Sequence, residues 1–288
     1  MSHSPAWYDG QYNNRANIPE HPGILRYWAE ASEEARRHTP GTMLDLQYGS
    51  GPGEGVDVFG ARTGGAPAPV LVWIHGGYWR ALSKSDHSLI APPFVQAGAV
   101  VVVPDYALAP AVTVEHIVLQ IARALAWTWR EARRFGGDPS RIVVGGHSAG
   151  GHLAAMMLAC RWGDLAADLP DDMVRTAVSL SGVFDLEPLR HAPFLASDLR
   201  LDAAQARRLS PACFPAPQRP RRLIALVGEE ETPEFHRQNR LIRRRWGADA
   251  VPVCEAVAGC HHMSILHTMV DAQSRTSSLT RQALGLAR

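Results

Sequence analysis

Short runs of Val, Ile and Leu recur along the chain and alternate with longer stretches in which apolar residues follow helical spacing. The runs are continuously apolar, which is typical of parallel strands that are covered on both faces. We predict strands at Val70–Ile74, Val100–Val103, Ile142–Val144, Ala177–Leu180, Leu223–Val227 and Val251–Glu255. Two earlier segments, Met43–Tyr48 and Gly55–Phe59, flank a turn-rich stretch and predict an antiparallel hairpin that opens the sheet.

The stretches with helical spacing predict helices between the strands. They cover Ile24–Arg37, Val114–Phe135, Gly151–Cys160, Pro233–Trp246 and Ser264–Leu286. An alternation of strands and helices is typical of the α/β class, in which helices cover both faces of a mostly parallel sheet. We therefore predict an α/β fold with a mostly parallel central sheet of about eight strands.

The length of the chain, 288 residues, is that of one large doubly wound domain. No internal repeat or low-complexity linker divides it. Two regions, residues 1–40 and 162–218, are less periodic than the rest. We expect a single domain over residues 1–288, in which these two regions contribute a small cap and the rim of the pocket.

Charge and cysteine content argue against several classes of protein. The formal net charge of +1 gives no indication of a nucleic-acid or acidic-membrane partner. The four cysteines are scattered and form no C-x-x-C pair, so neither a disulfide framework nor a zinc site is indicated. The N-terminus lacks the pattern of a signal peptide, and no apolar stretch has the length of a membrane span. We expect a cytoplasmic enzyme with a small-molecule substrate and without cofactor or metal, and base rates alone favour a homodimer.

A candidate nucleophile lies in the five residues Gly146-His147-Ser148-Ala149-Gly150. They follow a predicted strand and precede a predicted helix, and that is the context in which a G-x-S-x-G serine projects its hydroxyl above a sheet. The helix that follows also directs its positive dipole end to the place where an oxyanion forms. We predict that Ser148 is the nucleophile of an acyl-transfer reaction.

A second motif, His75-Gly76-Gly77-Tyr78-Trp79, directly follows the strand Val70–Ile74. Glycines there allow backbone amides to approach a substrate carbonyl oxygen closely, because no Cβ blocks them. We expect the amides of Gly77, Tyr78 and Ala149 to form an oxyanion hole.

A serine hydroxyl needs a base, and the base needs an acid that orients it. In hydrolases with this strand–turn–helix motif the acid and the histidine follow the serine in that order. The acid is expected after the strand Leu223–Val227, where Glu229, Glu230 and Glu231 are adjacent. The order alone leaves these three glutamates open.

Three histidines follow the last predicted strand, and of these we favour His262 as the base over its neighbour His261. His267 lies within the predicted final helix, where a packing or surface role is expected. His147 and His152 flank the serine but precede the acid, so we expect them to support the turn or to pack.

Together these motifs resemble the hormone-sensitive-lipase-like branch of the α/β hydrolases, and within it the kynurenine formamidase (arylformamidase) family. The segments that carry the resemblance are Tyr12–Ala16, His75–Trp79, Asp105–Pro110, Gly146–Gly150, Ser181–Leu186 and Thr232–Gln238. It extends over nearly the whole chain and implies the α/β-hydrolase fold with a serine–histidine–acid triad.

By position, the resemblance implies Glu231 as the acid and His262 as the base. The sequence departs from the family where a glutamate replaces the usual aspartate, and where His261 and Met263 replace the commoner neighbours of the histidine. Asp185, which also follows a strand, is the alternative acid.

The resemblance implies hydrolysis of a formyl amide on an aryl amine, such as N-formyl-L-kynurenine. We expect Tyr78 and Trp79, beside the oxyanion loop, to face the aryl leaving group. For the N-terminal Trp7, Tyr8 and Tyr12, packing is favoured, and a place in an aromatic wall of the pocket is the alternative. A carboxylesterase for short aryl or alkyl esters is the alternative, since the same groups cleave both bonds. A metal-dependent formamidase would need a His/Asp-rich motif that the sequence lacks, and a non-catalytic relative would lack a member of the triad.

Overall fold

The computed structural model of this chain describes residues 3–218 and 220–286. Its strands are β1 (Met43–Gln47), β2 (Gly55–Phe59), β3 (Ala68–Ile74), β4 (Val100–Pro104), β5 (Gly137–His147), β6 (Val174–Leu180), β7 (Arg222–Gly228) and β8 (Val253–Val257). Its α-helices are α1 (Pro5–Tyr12), α2 (Asn14–Asn17), α3 (His21–His38), α4 (Ala91–Gln96), α5 (Val114–Glu131), α6 (Ala149–Ala159), α7 (Trp162–Leu165), α8 (Pro193–Leu199), α9 (Ala203–Arg208), α10 (Pro233–Ala250), α11 (His267–Val270) and α12 (Arg275–Ala283). Short 3₁₀-helices lie at Lys84–Asp86, Ser88–Ile90, Ala132–Phe135, Glu187–His191, Pro211–Cys213 and Ser264–Leu266.

The strands form one eight-stranded sheet in the order β1-β2-β4-β3-β5-β6-β7-β8. β2 pairs antiparallel with both β1 and β4, which confirms the predicted opening hairpin. All other neighbours in the sheet are parallel, as predicted. The carboxyl ends of the parallel strands therefore meet at one edge, where the loops that follow them bring side chains from distant parts of the sequence together.

Both faces of the sheet are buried, and β3 illustrates how. Val70, Val72 and Ile74 belong to one apolar cluster, which includes residues of α5, α6 and α10. Leu71 and Trp73 belong to the other, which includes residues of α3, α4, α11 and α12. Because successive side chains of a strand point to opposite faces, a continuously apolar strand fills two cores at once.

Four predicted helices are confirmed as α3, α5, α6 and α10. α10 has a non-helical residue at Gly247 (φ 80°, ψ 170°), so its regular part ends near the predicted Trp246. No helix in the two described segments of the chain is long and apolar enough to cross a membrane.

The prediction of one continuous helix over Ser264–Leu286 is wrong, because the segment is broken between α11 and α12. At the break, Asp271 Oδ1 accepts a hydrogen bond from the Gln273 backbone N–H at 2.9 Å. The Ser274 hydroxyl accepts one from the Ser277 N–H at 3.0 Å and so caps α12. Short polar side chains of this kind compete with helical backbone hydrogen bonds, which a pattern of apolar spacing does not record.

The N-terminal helices α1 and α2 pack on the loops at the carboxyl edge of the sheet. The Tyr12 hydroxyl donates to Glu234 Oε2 in α10 at 2.6 Å. The Asn14 backbone N–H donates to the Tyr78 hydroxyl, after β3, at 2.9 Å. The N-terminal segment is thereby held against the region in which the predicted catalytic side chains lie.

Candidate active site

Ser148 lies in the tight turn between β5 and α6. Its backbone has φ 57° and ψ −117°, a strained conformation that is typical of a nucleophile on a strand-to-helix turn. The turn leaves no space for side chains beside the serine: a Cβ on Gly146 would lie 2.3 Å from the Gly150 carbonyl oxygen, and one on Gly150 would lie 2.1 Å from that of Ile74. This close approach explains why both flanking positions are glycine.

The Ser148 hydroxyl contacts His262, which in turn contacts Glu231. The distance from Ser148 Oγ to His262 Nε2 is 3.0 Å, and that from His262 Nδ1 to Glu231 Oε2 is 2.7 Å. With the Nδ1 proton directed at the carboxylate, Nε2 has its free lone pair towards the serine hydroxyl and is placed to accept its proton. All three side chains are buried. The geometry is that of a nucleophile, a general base and an orienting acid.

The second carboxylate oxygen of Glu231 is also hydrogen-bonded. Its Oε1 accepts a hydrogen bond from the Gly228 backbone N–H at 2.7 Å and another from the Ser181 hydroxyl. Ser181 follows β6 in a left-handed conformation (φ 53°), and its own N–H donates to the Leu226 carbonyl at 2.7 Å. Sequence analysis did not identify Ser181 as part of the site, although it lies in one of the segments that carry the family resemblance.

The other candidate acids lie elsewhere. Glu229 is exposed and accepts a hydrogen bond from the Gly259 N–H at 3.1 Å, and Glu230 is exposed as well. Asp185 lies 3.4 Å from the guanidinium of Arg237. Among the described carboxylates, Glu231 is the one that the structure brings to His262.

His147 holds the backbone of the candidate base. Its Nε2–H donates to the His262 carbonyl oxygen at 2.7 Å, and the two rings lie 4.9 Å apart. His152, on the other side of the serine, donates to the Leu209 carbonyl at 2.7 Å. Both residues therefore have the supporting and packing positions expected from the sequence.

The backbone amides of Gly77, Tyr78 and Ala149 are available to bind an oxyanion. Within residues 3–218 and 220–286, none of the three N–H groups donates a hydrogen bond to a protein acceptor. Gly77 has φ 101°, and a Cβ there would lie 2.0 Å from the Ala81 carbonyl oxygen, so the loop requires glycine. Ala149 is the first residue of α6, whose positive end adds to the field that an oxyanion meets.

Asp105 and Tyr106, which follow β4, support the glycine loop. The Tyr106 ring stacks on His75 at 4.0 Å, and its hydroxyl donates to the His75 carbonyl oxygen at 3.0 Å. The other edge of the imidazole, Nε2, lies 3.2 Å from Asp105 Oδ1. Asp105 and Tyr106 belong to one of the segments that carry the family resemblance. Their structural role here is to fix the start of the loop that presents the amides.

A cavity of about 30 Å³ adjoins the Ser148 hydroxyl, about twice the roughly 10–15 Å³ that one water molecule needs. Besides Ser148, His262, Gly77 and Tyr78, its walls include residues that sequence analysis missed: Asn14, Arg15, Trp28, Leu82 and Met263. Asn14, Arg15 and Trp28 belong to the N-terminal helices, which pack on the loops at the carboxyl edge of the sheet.

Trp79 does not line this cavity, contrary to the expectation that it faces the substrate. Its side chain is 2% exposed and packs edge-on against His152 at 5.1 Å. Tyr12 is also buried, with its hydroxyl on α10, and Trp7 and Tyr8 pack on each other at 5.1 Å. Large aromatic side chains gain most by filling a core, and here only Tyr78 of the predicted aromatic wall lines the cavity.

The buried histidines near the site predict acid sensitivity of the fold. Burial lowers the pKa of His147 to about 3 and that of His152 to about 4, whereas histidine in an unfolded chain titrates near 6.5. Below pH 6.5 the unfolded state therefore binds more protons, so the free energy of unfolding falls by about 1.4 kcal/mol per pH unit for each such histidine. We expect urea denaturation to show a steep loss of stability between pH 6.5 and 4.

His152→Gln keeps a donor for the Leu209 carbonyl and removes one titrating group. We expect its unfolding free energy to depend less steeply on pH than that of the wild type, whereas His116→Gln, on the exposed side of α5, leaves the slope unchanged. Equal slopes for the wild type and His152→Gln would contradict this explanation.

Comparison with known proteins gives three findings. Residues 71–234, more than half of the chain, match a family model described as the alpha/beta hydrolase fold. The chain is 28% identical to kynurenine formamidase from Danio rerio, over 99% of this chain and 95% of that protein. It is also 32% identical to the esterase LipQ from Mycobacterium tuberculosis, over 59% of this chain and 39% of that protein.

Among solved structures, the fold is similar to that of a Silicibacter sp. protein provisionally named a thioesterase. The TM-score is 0.81 at 29% sequence identity, and the match covers 94% of this chain and 98% of the other.

Proposed function

Because this chain belongs to the alpha/beta hydrolase family, we propose that it removes a formyl group from an aryl amine, such as N-formyl-L-kynurenine, with Ser148 as the nucleophile. The observation that carries the proposal is the narrow, half-open cavity at the serine hydroxyl: next to Ser148 it has room for a formyl group, and the leaving group extends outward along its walls. The similarity to a kynurenine formamidase over almost the whole chain supports the same substrate class.

Acylation begins when His262 Nε2 takes the proton of Ser148 Oγ, which lies 3.0 Å away. The oxygen attacks the formyl carbon, and the carbonyl oxygen becomes an oxyanion that the amides of Gly77, Tyr78 and Ala149 bind. As the C–N bond breaks, His262 gives the proton to the leaving nitrogen. The products of this half-reaction are the free aryl amine and a formyl ester on Ser148.

Deacylation repeats the sequence with water. His262 takes a proton from the water, whose oxygen attacks the formyl ester and forms a second tetrahedral oxyanion in the same amide site. Collapse releases formic acid and returns the proton from His262 to Ser148. Throughout, Glu231 at 2.7 Å keeps the imidazole in one tautomer and offsets its positive charge.

A carboxylesterase for short-chain esters is the second candidate function. The same nucleophile, base and oxyanion site cleave an ester by the same two half-reactions, and the similarity to the esterase LipQ favours it. The two functions differ in the leaving group: an amine requires protonation as it departs, whereas an activated phenolate does not.

A substrate panel tests the proposal. We expect kcat/KM for N-formyl-L-kynurenine to exceed that for p-nitrophenyl acetate, and p-nitrophenyl butyrate to be poorer than the acetate by about 10- to 100-fold because two added methylenes overfill the acyl site. Ready cleavage of p-nitrophenyl acetate with no turnover of N-formyl-L-kynurenine would reject the formamidase function in favour of the esterase. Both the formamidase and the esterase function predict that activity is retained in the presence of a chelator.

A further inference from the structure

Arg15 lines the cavity beside the catalytic serine without an ionic partner. Its side chain is half-buried, and among the described residues no carboxylate forms an ion pair with it. Two other half-buried arginines are paired: Arg80 with Asp198, and Arg237 with Glu234. Arg15 is thus a positive charge at the wall of the candidate substrate cavity, with no neutralising carboxylate among residues 3–218 and 220–286.

Asn14, the preceding residue, provides a second unused donor. It is 4% exposed, and its side-chain Nδ2 is buried without a hydrogen-bond partner in the described part of the chain. A buried amide N–H without a hydrogen bond lowers the stability of the folded state. Such a donor in a cavity wall therefore indicates that a ligand acceptor binds there.

The backbone positions both residues relative to the reacting atoms. The Asn14 N–H donates to the Tyr78 hydroxyl at 2.9 Å, and Tyr78 belongs to the loop that presents the oxyanion amides. Arg15 lines the same cavity as Asn14 and Tyr78. A ligand group that binds to Arg15 in this cavity therefore lies beside the oxyanion loop.

The charges in the adjoining cleft have the opposite sign. On the other side of Asn14, a cleft of about 260 Å³ is lined by Glu20 and Glu230. Glu20 lies 3.3 Å from His261. An anionic group is therefore attracted to the Arg15 side and repelled from the side of the glutamates.

We propose that Arg15 and Asn14 form a carboxylate-binding subsite, which selects substrates whose leaving group bears a carboxylate, such as an aryl amine that carries an α-amino-acid group. The guanidinium pairs with the carboxylate, and Asn14 Nδ2 donates to one of its oxygens. This inference rests on the proposed function and adds to it the charge of the leaving group.

The test compares matched substrates with and without the carboxylate: N-formyl-L-kynurenine and its carboxamide. The measured quantity is the ratio of their kcat/KM values. We expect Arg15→Met, which keeps an apolar stem, to lower this ratio by about 10- to 100-fold, as expected for the loss of a charge-assisted hydrogen bond. The loss appears mainly in KM for the carboxylate, since the contact is made in both ground and transition states.

Two further variants sharpen the result. Arg15→Lys retains the charge without the planar fork and is expected to recover part of the ratio. Arg37→Met removes an exposed arginine that pairs with Glu33 on α3 and is expected to leave the ratio at the wild-type value. A ratio in Arg15→Met within twofold of the wild type would overturn the subsite.

A second substrate pair separates this inference from the proposed function. An aryl acetate with a carboxylate on the phenol and its uncharged analogue are assayed in the same three variants. If neither formamide is cleaved, the proposed function fails, and the ester ratio still decides the role of Arg15: a fall in Arg15→Met supports the subsite, and an unchanged ratio overturns it.

Discussion

Ser148→Ala is expected to lower kcat/KM for N-formyl-L-kynurenine by about 10⁶-fold, the size of loss found when a triad nucleophile is removed. The reason is that no other hydroxyl lies in hydrogen-bond contact with His262 Nε2 among the described residues. The remaining oxyanion amides and the binding site still accelerate attack by water, so a small residual rate is expected.

The control for this experiment is Ser140→Ala. Ser140 lies on β5, the same strand that ends directly before Ser148, but it is exposed and its hydroxyl donates to Asp138 Oδ1 at 2.7 Å. We expect this variant to retain wild-type kcat/KM, and both variants to unfold cooperatively at similar temperatures. Hydrolysis by Ser148→Ala at more than about one per cent of the wild-type rate would contradict the role of Ser148 as nucleophile.

Glu231→Gln is expected to lower kcat by about 10⁴-fold while the fold is retained. Glutamine has the shape of glutamate but no charge, so it does not offset the imidazolium that forms during attack. Its amide nitrogen can also face His262 Nδ1, which stabilises the tautomer that carries the proton on Nε2. That tautomer does not accept the serine proton.

The two neighbouring glutamates provide matched controls for the acid. Glu229→Gln and Glu230→Gln make the same chemical change within two residues of Glu231, at exposed positions. We expect each to change kcat by less than about twofold, as for surface substitutions remote from the chemistry. A large loss in either of them, with activity preserved in Glu231→Gln, would assign the acid to a different residue.

The turn that carries Ser148 could be predicted from the sequence because its environment is local. A strand, a glycine-flanked turn and a helix within about twenty residues specify the turn at Ser148, and the structure contains each of them. The sheet could be predicted for a similar reason, since strands buried on both faces are continuously apolar. The order serine, acid, histidine along the chain then limited the candidate acid to the loop after β7 and the candidate base to the loop after β8.

The choice among the three glutamates depends on contacts that no local pattern contains. Glu229, Glu230 and Glu231 have nearly the same neighbours in the sequence, and burial distinguishes them. Ser181, fifty positions away in the chain, completes the hydrogen bonds of the buried carboxylate. The family resemblance indicated Glu231 by position, whereas the physical reason is visible only in three dimensions.

The composition of the cavity wall was harder to predict. Trp79 was expected at the substrate because it follows the glycine loop, but a residue beside a loop can face the core as readily as the pocket. Residues 1–40 were expected at the rim of the pocket, but Asn14 and Arg15 were not singled out, since more than sixty residues separate Asn14 from Tyr78, to which it donates. Their position depends on how α1 and α2 pack across the sheet edge.

Active-site labelling with a serine-reactive phosphonate tests the central claim most directly. Intact mass spectrometry follows the extent of labelling, peptide mapping locates the adduct, and the same samples are assayed with N-formyl-L-kynurenine. We predict one adduct per chain, on Ser148, with formamidase activity lost in proportion to labelling. An adduct on another residue, or formamidase activity that survives complete labelling of Ser148, would contradict the account.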